Sequence, residues 1–111
     1  MAFKVNGRIW IEGEERFMGI GRLELLQRIE QTGSISAAAK GMGMSYKRAW
    51  DLIQSLNNQA ASPVVSTQTG GERGGGALIT PEGKRWINLY MELQERFQAF
   101  VEQESSKLTL E

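Results

Sequence analysis

The residues best equipped to meet another molecule form a polar run, Ser45-Tyr46-Lys47-Arg48, followed by Asp51, Gln54, Ser55 and Asn58. Lysine and arginine donate to phosphate oxygens or to the O6/N7 edge of guanine, and a glutamine amide can bracket adenine. Upstream, Gly33-Ser34-Ile35-Ser36 offers two hydroxyls and the free N–H groups of a helix start, which also suit a phosphate oxygen. Downstream, the segment Thr69–Gly76 sets Arg73 among glycines. There the bare backbone can approach a sugar–phosphate chain while the guanidinium enters a minor groove. Ser34, Ser36, Ser45, Tyr46, Lys47, Arg48, Gln54 and Arg73 are therefore the candidate contacts to double-stranded DNA. Asp51 is better suited to orienting a basic neighbour, and Trp50, at the border of the inward face, to core packing.

The rest of the composition narrows the chemistry. The chain has 111 residues, 41% hydrophobic and 23% charged, which predicts one domain over 1–111 with one small core. With no Cys and no His it has no disulfide, no thiolate or imidazole metal site and no histidine general base. The expectation is a protein that is not an enzyme and needs no cofactor. The glycine-rich tip also fails as a nucleotide cradle, because no Lys-Ser or Lys-Thr follows it and a strand comes next. Thirteen basic groups balance thirteen acidic ones, but unevenly. Residues 40–85 carry six basic groups against three acidic, and residues 86–111 carry two against five. A neutral total is compatible with an anionic partner if the two sets occupy different faces. No apolar run approaches the roughly 18 residues of a membrane span, and Met1–Glu15 lacks a secretory core, so a cytoplasmic location without a membrane partner is expected.

Periodicity supplies the elements that position these residues. Phe3–Glu12 alternates around Val5, Ile9 and Ile11, and Arg16-Phe17-Met18 can return against it, giving a β-element over 1–18; Asn6-Gly7 offers a competing tight turn. Leu23, Leu26 and Ile29 predict an amphipathic helix over Gly21–Gln31, ended near Gly33. Ser36 can cap a short helix closed by Gly41 and Gly43. Ser45 can cap the next, where Ala49, Leu52, Ile53 and Leu56 face inward until Pro63 forbids continuation. Val64–Thr67 and Ala77–Thr80 flank the glycines as a hairpin. Thr80-Pro81-Glu82 then starts a helix running from about Pro81 to about Glu104, with 105–111 as a tail. The fold class is mainly α with a small β component: a winged helix-turn-helix over 19–80 with a long C-terminal dimerisation helix over 81–104.

That last helix carries Trp86, Tyr90, Leu93, Phe97 and Phe100 at heptad spacing, widened by Ile87 and Val101. One small core cannot absorb both this seam and the helix before it, so these five residues are expected to form a homodimer interface. A twofold pair of recognition helices reads an inverted repeat.

Three stretches, GSISAAAK at 33–40, GMSYKRAWD at 43–51 and GGERGGGALIT at 70–80, together resemble the N-terminal DNA-binding domain of the molybdate-responsive ModE regulators. More distantly they are similar to LysR-type winged helices. The resemblance covers about Gly19–Phe100. It implies DNA-binding and dimerisation residues at Ser34, Ser36, Ser45, Tyr46, Lys47, Arg48 and Arg73, in a chain holding no molybdate site, whose effector lies in a partner chain or is absent. The expected function is a homodimeric, sequence-specific transcriptional regulator. The alternative is a winged-helix interaction module, for example a heterodimer partner, that binds no operator and has no need of Lys47, Arg48 and Arg73.

Overall fold

A computed structural model describes residues 3–68 and 76–108. In chain order the elements are β1 (Ile11–Glu12), β2 (Arg16–Met18), α1 (Ile20–Thr32), α2 (Ile35–Gly41), α3 (Tyr46–Gln59), β3 (Val65–Gln68), β4 (Gly76–Ile79) and α4 (Pro81–Ser106). β1 pairs antiparallel with β2, and β3 with β4 in the register Val65↔Ile79 to Gln68↔Gly76. One apolar core joins all the helices: Met18, Leu25, Leu26, Ile29, Ile53, Leu56 and Val64 are fully buried, with Ile87 and Tyr90 contributed by α4. Burying each large aliphatic side chain stabilises the fold by about 1.5–3 kcal/mol.

The helix boundaries arise from backbone chemistry. Gly33 ends α1 at φ 69°, a left-handed conformation that a side chain would strain, and its N–H donates to the Ile29 carbonyl at 2.7 Å. Its own carbonyl accepts from Ala77 N–H at 3.0 Å, tying β4 to the end of α1. The cap of α2 is Ser34, whose hydroxyl accepts from Ala37 N–H at 3.0 Å, rather than Ser36. Burial of Ile35, Ala38 and Ala39 sets the helix phase and leaves Ser36 exposed on the first turn. α3 stops at Gln59, short of Pro63. Asn57 anchors the start of the wing to α3: its Oδ1 accepts from the N–H groups of Val64 and Val65 at 2.8 and 3.2 Å, and its Nδ2 donates to the Val65 carbonyl at 3.1 Å. Thr80 caps α4, accepting from Gly83 N–H at 3.0 Å while its hydroxyl donates to the Pro63 carbonyl at 2.6 Å.

The N-terminal β-element is much shorter than the alternation implies. Only Ile11–Glu12 pairs with β2; Phe3–Trp10 has no regular secondary structure, makes no turn at Asn6-Gly7, and lies against α4 instead of another strand. Val5 N–H donates to Ser105 Oγ at 2.8 Å, and Tyr90 Oη donates to the Ile9 carbonyl at 2.8 Å. A Cβ placed on Gly7 would meet the Phe97 ring at 3.2 Å. Val5, Ile9 and Ile11 alternate because one face of this strip is half-buried.

Candidate nucleic-acid interface

The turn between α2 and α3 is closed by its own backbone. Met42 N–H donates to the Ala38 and Ala39 carbonyls, Gly43 N–H to Lys40 and Met44 N–H to Ala39, with Gly43 at φ 68°. Ser45 then caps α3, accepting from Arg48 N–H at 3.0 Å. Ala49, Leu52, Ile53 and Leu56 of α3 are buried, as their spacing requires. At 100° per residue, Lys47, Asp51, Gln54 and Asn58 therefore form its outward ridge. Tyr46 and Trp50 stand on one flank of that ridge, and Arg48, Leu52 and Ser55 on the other.

Each flank borders a cavity. On the first, about 330 Å³ is enclosed by Ser34, Ser36, Tyr46, Trp50, Thr67 and Gln68, together with Gly76 and Ala77 of β4. Tyr46, 52% exposed, stacks on Trp50 with ring centroids 6.3 Å apart. The start of α2, the start of α3 and the wing strand thus converge on one concave surface with hydroxyl, amide and aromatic groups. On the ridge, Lys47 Nζ pairs with Asp51 at 3.0 Å, both side chains largely in water, so the pair orients more than it stabilises. The second flank holds Arg48 beside a larger cavity of about 530 Å³.

Ser34, Ser36 and Tyr46 therefore come together around the first cavity, while Lys47 and Gln54 lie on the ridge and Arg48 on the far side. Ser34 and Ser45 are both engaged as caps, which leaves Ser36, exposed and with no hydrogen-bond partner among the described residues, as the candidate serine hydroxyl available to a partner. Arg73 lies outside the described residues. Trp50 keeps the core-packing role expected of it and also walls the cavity. Thr67 and Gln68 line it as well, outside the candidate contacts; their signal in the sequence is the polar end of β3. Among the described residues no group of three carboxylates is placed to hold a metal ion.

The C-terminal seam is divided. Tyr90 is 1% exposed and belongs to the core; Trp86 packs edge-on against Phe17 at 4.7 Å; Leu93 is half-buried against the core, and Phe97 is half-buried beside Gly7. Phe100 is 54% exposed, and Leu89, outside the expected seam, is 42% exposed on the same helix. Contrary to the expectation of an interface residue, burial within the chain leaves Tyr90 no surface to offer a second copy, and its hydroxyl holds the N-terminal strip instead.

A tri-helical core with an exposed, capped third helix and a two-stranded wing defines a winged helix-turn-helix protein, a class that sets one helix into the groove of a duplex. The family of bacterial regulatory helix-turn-helix proteins of the lysR type matches residues 20–84, and the chain belongs to that family. It is also similar to the molybdenum-pterin-binding protein MopB of Rhodobacter capsulatus, 53% identical over 73 residues, covering 66% of this chain and 27% of that protein. To the molybdenum transport protein ModE of Azotobacter vinelandii it is 41% identical over 87 residues, covering 78% and 32%. To the DNA-binding transcriptional dual regulator ModE of Escherichia coli K12 it is 48% identical over 69 residues, covering 62% and 26%. The chain thus spans about a third or less of the length of these relatives. No helix among the described residues is long and apolar enough to cross a membrane.

Proposed function

We propose that this protein is a ModE-like transcriptional regulator that binds an inverted-repeat operator in double-stranded DNA as a homodimer. The observation that carries the reading is the outward ridge of α3, Lys47-Asp51-Gln54-Asn58, flanked by Tyr46 and Arg48 and standing clear of the core. A major groove about 12 Å wide accepts one helix of about 10–12 Å, so the ridge meets base edges while the flanks meet the two backbones. Gln54 suits a base edge, Lys47 a base or phosphate, Arg48 a phosphate on its own flank, and Ser36 a phosphate on the α2 side. Such a protein acts by binding rather than by catalysis, and its partner places it in the cytoplasm.

Self-association through α4 completes the reading. The apolar edge Leu89, Leu93, Phe97 and Phe100 supports a twofold contact, with Trp86 at its inner end, and a dimer doubles the recognition helices at half-sites about 34–36 Å apart or a multiple of it. A mobility-shift titration against genomic fragments tests both parts. The expected result is selective retention of a few fragments with an affinity that falls steeply with salt. Equal retention of all duplexes, or indifference to salt, rejects it.

A further inference from the structure

The larger cavity, on the Arg48 side of α3, has a composition that the helix-turn-helix alone does not require. Arg8 from the N-terminal strip, Arg16 from β2, Arg22 from α1 and Arg48 from α3 all line it, and no carboxylate does. Among the described residues the other three arginines each have an acidic partner: Arg28 with Glu24 at 2.8 Å, Arg85 with Glu82 at 3.0 Å and Arg96 with Glu92 at 3.4 Å. The four in the cavity have none within ion-pair distance among those residues. Arg22 is held by donating to the Phe17 carbonyl at 3.3 Å and to Ser55 Oγ at 3.0 Å, and Arg16 lies over the Trp10 ring at 4.3 Å. Outside the cavity, Glu15 accepts from the Ser55 hydroxyl and attracts Arg22 from beyond contact. Burial, with Arg48 and Arg16 as like charges, draws the Arg22 guanidinium below its ordinary value. The start of α1 opens on the same cavity through Gly19, Ile20 and Gly21, and its cap residue Gly19 supplies no side-chain acceptor.

Four guanidinium groups from four separate segments line this cavity with no carboxylate in contact among the described residues, and Glu15 acts on Arg22 only from a distance. The cavity is therefore electropositive, and an anion that enters it relieves the mutual repulsion of the arginines. We propose that this cavity binds a phosphate-type oxyanion, supplied either by the DNA backbone beside α3 or as a free inorganic ion. The geometry favours the backbone. The Ser34/Ser36 cavity lies on the opposite flank of the α3 ridge, so a groove that admits the ridge presents one strand to each cavity. The arginine cavity then fixes the register of the strand that α2 and the wing do not reach. This first source rests on the proposed DNA binding; the second does not.

The experiment compares the wild-type protein with Arg8→Gln and with Arg8→Gln/Arg16→Gln, each confirmed as folded by circular dichroism. Arg8 is exposed and makes no side-chain hydrogen bond among the described residues, so the single variant remains informative if the double variant misfolds. Two titrations are run: inorganic phosphate by calorimetry at low ionic strength, and specific and random duplexes across a salt series. If the source is the DNA backbone, the variants bind both duplexes roughly tenfold more weakly, and the slope of log K against log salt becomes shallower by about one for each phosphate no longer neutralised. If the source is a free ion, wild-type protein takes up phosphate saturably, the variants do not, and the salt slope is unchanged. An unchanged slope without saturable phosphate uptake overturns the proposal while leaving DNA binding intact. If wild-type protein binds no duplex, the proposed function fails on its own account, and absence of saturable phosphate uptake then overturns the cavity as well.

Discussion

The Tyr90 hydroxyl donates a 2.8 Å hydrogen bond to the backbone carbonyl of Ile9, 81 residues earlier in the chain. This bond fastens the N-terminal strip to α4, and with it the Arg8 and Trp10 side chains on either side of Ile9. Burial raises the phenol above its ordinary value of about 10, opposed in part by the positive charge of Arg16. Because the neutral form is the one stabilised in the fold, its contribution is complete below pH about 10 and is lost as the pH rises through the folded value. Spectrophotometric titration is expected to show a tyrosine ionising above the ordinary range and absent from Tyr90→Phe. That variant should lose about 0.5–1.5 kcal/mol of stability and expose the N-terminal strip to faster amide exchange.

Gly83, in the first turn of α4, reverses the usual effect of a helix glycine. Replacement by alanine in an open helix gains up to about 1 kcal/mol. Here the added Cβ would collide with the Val64 carbonyl oxygen and approach Ile79 Cγ2 to 2.8 Å. That carbonyl accepts from Thr80 N–H and so cannot withdraw without losing the junction between wing and helix. Gly83→Ala is expected to destabilise by about 1–3 kcal/mol in denaturant unfolding. A variant as stable as the parent would mean that α4 can slide away from Val64 and β4.

Much of the architecture is legible in the sequence because it is local. The 3.6-residue spacing of Ala49, Leu52, Ile53 and Leu56, the cap at Ser45 and the Thr80-Pro81-Glu82 start each act within a few residues, and α3 and the start of α4 stand where they indicate. Ser34 and Ser36 carry the same capping chemistry two residues apart, and only tertiary burial of Ile35 chooses between them. The strip Phe3–Trp10 is harder to read. Period-two burial reports a covered face, but it does not say whether the cover is a strand or a helix. The convergence of Arg8, Arg16, Arg22 and Arg48 is set by packing between four segments, and no spacing within any one of them encodes it.

The two serines of α2 separate stability from recognition. Ser34→Ala removes the acceptor for Ala37 N–H and should cost about 1 kcal/mol, a fall in Tm of roughly 4–8 °C. Ser36 has no hydrogen-bonded partner among the described residues, so Ser36→Ala is expected to melt within about 0.5 kcal/mol of the parent. If Ser36 meets a phosphate, the same variant binds duplexes more weakly and without regard to sequence. Calorimetric melting beside a binding titration distinguishes the two, and equal melting losses for both variants would place the cap elsewhere.

On the ridge of α3 and its Arg48 flank, Lys47→Ala/Arg48→Ala should leave the melting temperature nearly unchanged, since both side chains are exposed and neither supports the core. Operator affinity should fall by about tenfold or more, because each base-edge or phosphate contact contributes on the order of 1–3 kcal/mol of discrimination or a unit of salt slope. Asp51→Asn releases Lys47 from its 3.0 Å ion pair and removes a negative charge from the ridge. Its expected effect is tighter binding to random duplexes and a smaller ratio of specific to non-specific affinity. Unaltered binding by the double variant would detach this face of α3 from DNA.

Self-association through α4 is testable by where the damage falls. Phe100, 54% exposed, and Leu89, 42% exposed, contribute little to the protomer core, whereas Tyr90 is inside it. Burial of a phenylalanine or leucine against a second subunit is worth about 1.5–3 kcal/mol. Phe100→Ala and Leu89→Ala should therefore each weaken the dimer by roughly ten- to a hundredfold in sedimentation equilibrium while the isolated protomer keeps its helical signal. Tyr90→Ala should instead lower the melting temperature at every protein concentration, since it opens a cavity under the N-terminal strip. Operator binding by Phe100→Ala is expected to become steeply concentration-dependent, as protomers would have to pair on the duplex. A Phe100→Ala protein that remains dimeric would move the subunit contact away from this edge of α4.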